Sequence, residues 1–283
     1  MEKLFVVFDI GGTKIRVSAS SDGERIEAPI VIPTPNFFDE GVHVLRESIL
    51  RLVQGRKISS IAGGIAGPLD KEKTMLVKAP NLPEWVGKPL KLILERELKT
   101  HVFIENDAAL AGLGEAHFGA GKLKSIVAYL TISTGVGGVR IVDGLIDRND
   151  KGFEPGHQII HKNGELCPGC GRRGHLEGHI GGAALTKRFG KRPEKIHDPK
   201  VWDNIAFDLA VGLNNIIVHW SADIVILGGS LMEKINLEKV KEYLADILQI
   251  YPIIPKIVRS ELNEASGLYG ALALLKLEKL LKQ

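Results

Sequence analysis

Two segments of this chain, Phe8–Val17 (FDIGGTKIRV) and Leu130–Ile141 (LTISTGVGGVRI), share one local pattern. Each reads as an apolar β-rich strand, a Thr/Gly turn and a return strand, which is a β-hairpin closed by glycine. A supersecondary unit met once in each half marks an internal duplication. That restricts the chain to folds assembled from two related halves.

Strands alternate with helices around both hairpins. In the first half, strands are expected over Leu4–Ile10, Ile15–Ala19, Arg25–Ile32, Ser60–Ala66 and His101–Glu105. Phe38, Val42, Leu45, Ile49 and Leu52 share one face of a 3.6-residue period, which predicts a helix between them. Two more helices are expected, one over 89–99 and one opening at Asn106-Asp107. The second half repeats the order, with strands at 125–132, 139–142, 224–227 and 256–260 and helices near 203–220, 237–249 and 267–283. Such alternation gives the α/β class. The expected division is a smaller domain over 1–107, with the helix 267–283 returning to it, and a larger one over 108–266.

At 283 residues the chain is long enough for two domains, each with its own core. A net charge of +3 is no nucleic-acid footprint. No run of ~18 apolar residues is present, so no membrane span is expected. The short N-terminal apolar run lacks a cleavage pattern, and the two cysteines form no disulfide framework. These features predict a cytoplasmic protein. The basic stretch Lys187–Lys200 reads as a solvated loop.

A glycine turn lets backbone N–H groups converge on an anion without interference from Cβ. Asp9, Gly11, Gly12, Thr13 and Lys14 make such a turn, with a carboxylate suited to Mg²⁺ held through water. Thr134, Gly135 and Gly137 make a second, and Gly228-Gly229 after a later strand a third. One turn would take the terminal phosphates, one the middle of the chain and one the nucleoside. His157, Cys167, Cys170 and His175 offer four ligands within nineteen residues, a set that suits tetrahedral Zn²⁺. A closed four-ligand set leaves no place for water, so this zinc would be structural, with His161 or His179 as competing ligands.

The segments DIGGTK (9–14), Gly67-Pro68, NLPEW (81–85), ENDA (105–108), TISTGVGG (131–138), EPGH (154–157), CGRRGHLE (170–177) and VILGG (225–229) resemble the ROK family of sugar kinases. The match follows the family's order over nearly the whole length. The resemblance implies a duplicated actin-like, ribonuclease H-like fold of two domains, with ATP and sugar bound in the cleft between them. It implies an ATP-dependent kinase acting on the 6-hydroxyl of a hexose, glucose first, with N-acetylmannosamine or another hexose as the alternative. It also leaves open a sugar-binding regulator without catalysis. The family contains repressors, but their N-terminal helix-turn-helix is not expected here, because the first phosphate strand begins at Leu4.

By the same resemblance Asp107 is the general base, and Asn106 binds an adjacent sugar hydroxyl. Against that stands the ordinary role of Asn and Asp at a helix start, which is to cap it. Asn81, Glu154, His157 and Glu177 match the family's other sugar contacts, with Gly67 offering backbone. Trp85 would either close the pocket or pack in the core. The metal segment departs from the family's C-x-C-G-x-x-G-C pattern twice, because Gly169 adds a residue between the cysteines and His175 replaces the third. Family members are often dimers or tetramers, so a homo-oligomer is expected.

Overall fold

The computed structural model describes residues 3–280 and divides into two compact units. The first runs through Gly119 and also takes in Arg148–Gly152 and the chain from Glu264 onward. The second comprises Ala120–Asp147 and Phe153–Asn263.

The first unit is built on β1 (Lys3–Ile10), β2 (Lys14–Ser20), β3 (Ile30–Pro33), β4 (Lys57–Ile65) and β5 (Val102–Asn106), in the order β3-β2-β1-β4-β5. β1, β2 and β3 pair antiparallel, while β4 and β5 continue parallel to β1. With them go α1 (Phe38–Val53), α2 (Leu90–Leu98) and α3 (Asp107–Phe118). The second unit carries β6 (Ile126–Ile132), β7 (Val136–Val142), β8 (Leu145–Ile146), β9 (Ile224–Gly228) and β10 (Lys256–Arg259). Their order is β10-β9-β6-β7-β8, with the same alternation of antiparallel and parallel pairs. Its helices are α4 (Leu176–Ile180), α5 (Gly182–Phe189), α6 (Pro199–Trp220) and α7 (Leu237–Ile247). The last helix, α8 (Ser266–Leu280), belongs to the first unit, and residues 281–283 of its expected span lie outside the described residues. The duplication read from the hairpins therefore extends to whole sheets.

Each unit has its own core. β1 buries Val6, Val7, Phe8 and Ile10, and β9 is buried along its whole length, as befits central strands with parallel neighbours covered on both faces. α1 lays Phe38, Val42, Leu45 and Ile49 against the first sheet, the face that the 3.6-residue period predicts. α6 does the same in the second unit with Leu209, Leu213, Ile216 and Ile217.

Several element bounds differ from the sequence reading. β3 starts only at Ile30, because Asp22 accepts the Glu24 and Arg25 N–H groups and the chain turns there instead of pairing. Pro89 stands before α2 rather than inside it. The basic stretch from Lys187 is not one loop: it contains the end of α5, a single turn at Pro193–Lys195 and the start of α6. α3 is grouped with the first unit, where it packs on α8. That packing is backbone against backbone. A Cβ on Gly270 would stand 1.7 Å from the Leu110 carbonyl oxygen, and one on Gly114 2.2 Å from that of Ser266. Among the described residues no helix is long and apolar enough to cross a membrane.

Candidate active site and metal centre

In the first unit the β1–β2 turn is held open to solvent at Gly12, Thr13 and Lys14. Gly11 N–H donates to the Lys14 carbonyl at 3.0 Å, and Thr34 clasps the turn from β3, its hydroxyl donating to the Gly11 carbonyl at 2.7 Å. A Cβ on Gly12 would lie 2.7 Å from Cβ of Asn81, so a candidate sugar contact rests directly on the turn. Gly67, with φ of +131°, adopts backbone that favours glycine and packs against the Lys78 carbonyl.

Asp9 is the penultimate residue of β1 and Asp107 begins α3, with Gly64 of β4 between them. A Cβ on Gly64 would stand 3.2 Å from Asp107 Cα and 3.4 Å from Asp9 Oδ1. Burial, with the Asp107 charge nearby, pushes Asp9 up to about 7, although Arg16 acts in the opposite sense from 3.6 Å. Burial likewise holds Asp107 above the usual carboxylate range, against the Ala108 N–H that its Oδ1 accepts at 2.9 Å. Asn106 performs the capping: its Oδ1 accepts from Ala109 N–H at 3.0 Å and its Nδ2 donates to the Gly67 carbonyl at 3.2 Å. Asn106 thus has a structural task, while Asp107 engages Oδ1 with the neighbouring Ala108 N–H.

In the second unit the tight turn Ser133–Gly135 is tied to the start of α5, where Gly182 and Ala183 N–H donate to the Ser133 and Thr134 carbonyls. The turn at Pro155–His157 docks on β7 through two glycines: a Cβ on Gly156 would lie 2.1 Å from the Val136 carbonyl, and one on Gly138 2.8 Å from Pro155. Glu154 and His157 are placed by that docking. Glu177, on α4, accepts Val136 N–H at 3.0 Å through Oε2 and the Cys167 thiol at 3.2 Å through Oε1. Gly228 and Gly229 press on β6, where a Cβ would meet the Tyr129 hydroxyl at 2.4 Å and the Ile132 carbonyl at 2.3 Å.

His157, Cys167, Cys170 and His175 converge, their ligand atoms all within 4.8 Å of one another. His157 Nδ1 is 3.2 Å from His175 Nδ1 and 3.8 Å from Cys167 Sγ, and Cys170 Sγ is 3.2 Å from His175 Nδ1. Tetrahedral zinc with ordinary bond lengths has edges of ~3.3–3.8 Å, so the four residues fit that ion. The added Gly169 does not disturb them, because Gly171 N–H donates to the Cys167 carbonyl and Cys167 N–H to that of Arg172, closing the loop on itself. Burial, with Glu177 beside it, pushes the Cys167 thiol up to about 12, a proton that metal binding has to displace. Burial first, and His157 second, lower His175 and favour its neutral form.

Neither competing histidine joins this set. His179 is buried with both ring nitrogens engaged, Nε2 by Glu165 N–H at 3.1 Å and Nδ1 by Asp208 at 3.0 Å. His161 lies on the exposed side of its ring, 6.1 Å between centroids. Trp85 is core: it is 1% exposed, sits edge-on to Phe38 and donates its indole N–H to the Pro35 carbonyl. Two features had no sequence signal. These are the double engagement of Glu177 and the buried Glu105, which accepts Asn106 N–H and pairs with Lys73.

The ROK family model matches residues 5–278. The chain is 28% identical to a glucokinase of Thermotoga maritima, over 98% of each sequence. Its fold superposes on the ROK hexokinase of Thermus thermophilus with a TM-score of 0.85, at 31% identity over 98% of this chain and 99% of that one. A ROK family glucokinase of Streptomyces griseus, solved with glucose and AMPPNP, matches with a TM-score of 0.82, 26% identity and coverage of 96% and 98%.

Proposed function

This chain belongs to the ROK family, and from that premise we propose that it transfers the γ-phosphoryl group of ATP to the 6-hydroxyl of a hexose, with glucose as the preferred acceptor. Phosphoryl transfer to a hydroxyl asks for positioning, charge neutralisation and a proton acceptor, and little else. Asp107 is the proton acceptor. The observation that carries this reading is the division of labour at the start of α3, where Asn106 caps the helix through Ala109 N–H and Asp107 engages one carboxylate oxygen, Oδ1, with Ala108 N–H. A base raised by burial is better matched to accepting a proton near neutral pH than an ordinary aspartate is.

Asn81, Asn106 and the Gly67 backbone belong to the sugar site, as do Glu154, His157 and Glu177. Asp9, Gly11, Gly12, Thr13 and Lys14 serve the terminal phosphates of ATP, Thr134, Gly135 and Gly137 the rest of the phosphate chain, and Gly228 and Gly229 the nucleoside. Mg²⁺ bound with the nucleotide supplies charge neutralisation, and Asp9 is the residue that would face it. Zn²⁺ would be held by His157, Cys167, Cys170 and His175 as a structural ion. With Nδ1 of His157 turned to that set, its Nε2 lies 3.9 Å from Glu154 and is left for a sugar hydroxyl.

The test is a coupled assay with Mg·ATP across a panel of hexoses and N-acetylhexosamines. Glucose should give the highest kcat/KM. Preference for an N-acetylhexosamine would correct the substrate, and no turnover with any sugar would overturn the kinase reading.

A further inference from the structure

The duplicated hairpins match strand for strand, yet next to the turn they differ in chemistry. The last pair before the first turn is Ile10 opposite Ile15, and before the second it is Ile132 opposite Val136. One step further from each turn stand Asp9 opposite Arg16 in the first hairpin and Thr131 opposite Gly137 in the second. Directly opposed residues share a face of the sheet, so an acid–guanidinium pair is built into the first hairpin alone.

Arg16 is held at both ends of its fork. Nη1 lies 3.6 Å from Asp9 Oδ2, and Nη2 donates to Glu264 at 2.8 Å, at the turn leading into α8. Its side chain is only 17% exposed, against 79% for Glu264, so the guanidinium is buried on the side of Asp9. Lys14, the other cation of this hairpin, stands exposed at the turn. Two carboxylates, Asp9 and Asp107, flank Gly64. Without a cation on the β2 side, their repulsion would drive the Asp9 carboxylate away from the turn. Guanidinium suits this task better than ammonium, because its planar fork presents N–H groups in two fixed directions at once.

We propose that Arg16 is a positioning residue of the nucleotide site, holding the Asp9 carboxylate at the mouth of the glycine turn where it meets the magnesium–nucleotide complex. Glu264 anchors the far side of the fork, so that Asp9 is oriented by a fixed cation. The proposal rests on Asp9 serving the nucleotide, and the experiment separates the two.

ADP binding to the full chain is measured by calorimetry with Mg²⁺ and with a magnesium chelator, for the wild type, Arg16→Met, Arg16→Lys, Glu264→Gln and Asp9→Asn. Mg²⁺ should tighten ADP binding to the wild type. Arg16→Met should weaken Mg·ADP about tenfold and leave Mg-free ADP and sugar binding unchanged. Arg16→Lys should show a smaller loss of the same kind, and it carries the test should the methionine variant not fold. Glu264→Gln should stay within about threefold of the wild type, because Glu264 is itself exposed. Equal weakening of ADP with and without Mg²⁺, wild-type Mg·ADP affinity in both Arg16 variants, or reproduction of the whole effect by Glu264→Gln would each overturn the proposal. If Asp9→Asn loses the Mg²⁺ enhancement while the Arg16 variants keep it, only the role of Arg16 fails. If Asp9→Asn keeps it, the assignment of Asp9 fails and this proposal falls with it.

Discussion

Glu177 takes the Val136 N–H through one carboxylate oxygen, at 3.0 Å, while the other takes the Cys167 thiol. One side chain thereby ties the second glycine turn to the cysteine loop. The contact is close on both sides: a Cβ on Gly135 or on Gly169 would stand 2.6 Å from a Glu177 oxygen. Disturbance of the metal loop therefore reaches the turn through a single carboxylate.

Glu177→Ala should lower kcat/KM for ATP as well as for the sugar, by about tenfold or more, because Val136 loses its acceptor in a partly buried place. Glu177→Gln keeps an oxygen for that N–H and should recover part of the loss in ATP kinetics but little in sugar kinetics. Steady-state kinetics with each substrate varied decide it, and an effect confined to the sugar would contradict the tie.

Asp107→Asn should cut kcat by about 10²–10⁴-fold, the span usual for losing a positioned general base. Sugar affinity, read by intrinsic fluorescence or calorimetry, should change by no more than a few fold. Substantial residual kcat would remove Asp107 from the role of base.

Asp9 sets a pH dependence of stability whose sign follows from its raised value. A carboxyl whose folded pKa lies near 7 instead of 3.8 binds its proton more tightly in the fold than in the unfolded chain. Its ionisation therefore costs stability, with no cost below pH 3.8 and the full cost above about 7. Asp9→Asn removes that cost. Without nucleotide, the variant should melt higher than the wild type at pH 8, with the advantage shrinking toward pH 4. An unchanged difference in Tm across that range would refute the assignment.

Stripping metal with a strong chelator should release about one zinc per chain, lower Tm and weaken sugar binding more than ATP binding. Elemental analysis beside the two affinities reads this out. Full activity in a verified metal-free preparation would sink the structural role of the ion.

Gly270→Ala should destabilise the first unit by about 2 kcal/mol or more, because the added methyl meets the backbone of α3 rather than a side chain able to move. Gly55→Ala is the control for a glycine with open space, and its cost should come only from its positive φ. Equal denaturation midpoints for wild type and Gly270→Ala would mean that α3 and α8 can part without loss.

Periodicity and turn chemistry made most of the fold legible. α1 was readable because five apolar residues repeat on one face, and the hairpins because glycine turns interrupt apolar runs. β3 was misjudged at its start because the turn there is made by side chain to backbone bonds of Ser20 and Asp22, which leave no apolar pattern. The packing of α3 on α8 was hidden for a different reason. Close helix packing through Gly114 and Gly270 depends on which surfaces meet, and a lone glycine in a helix gives no hint of its partner. In the site, residue types and spacing were enough to gather the four side chains that converge around the cysteine loop. The division of work between Asn106 and Asp107 was not, because both suit a helix cap and only geometry separates them.

Short bridges on either side of the cysteine loop, Leu166 with Arg173 and Ile159 with His175, fix where the segment leaves and rejoins the body of its unit. Between them the five-residue arch from Cys167 to Gly171 closes on its own backbone. Cys167 and Cys170 both lie within that arch. The arch is therefore constrained from within as well as at its ends: two of the four converging side chains sit on it, and at Gly169 any side chain would meet Glu177 at 2.6 Å.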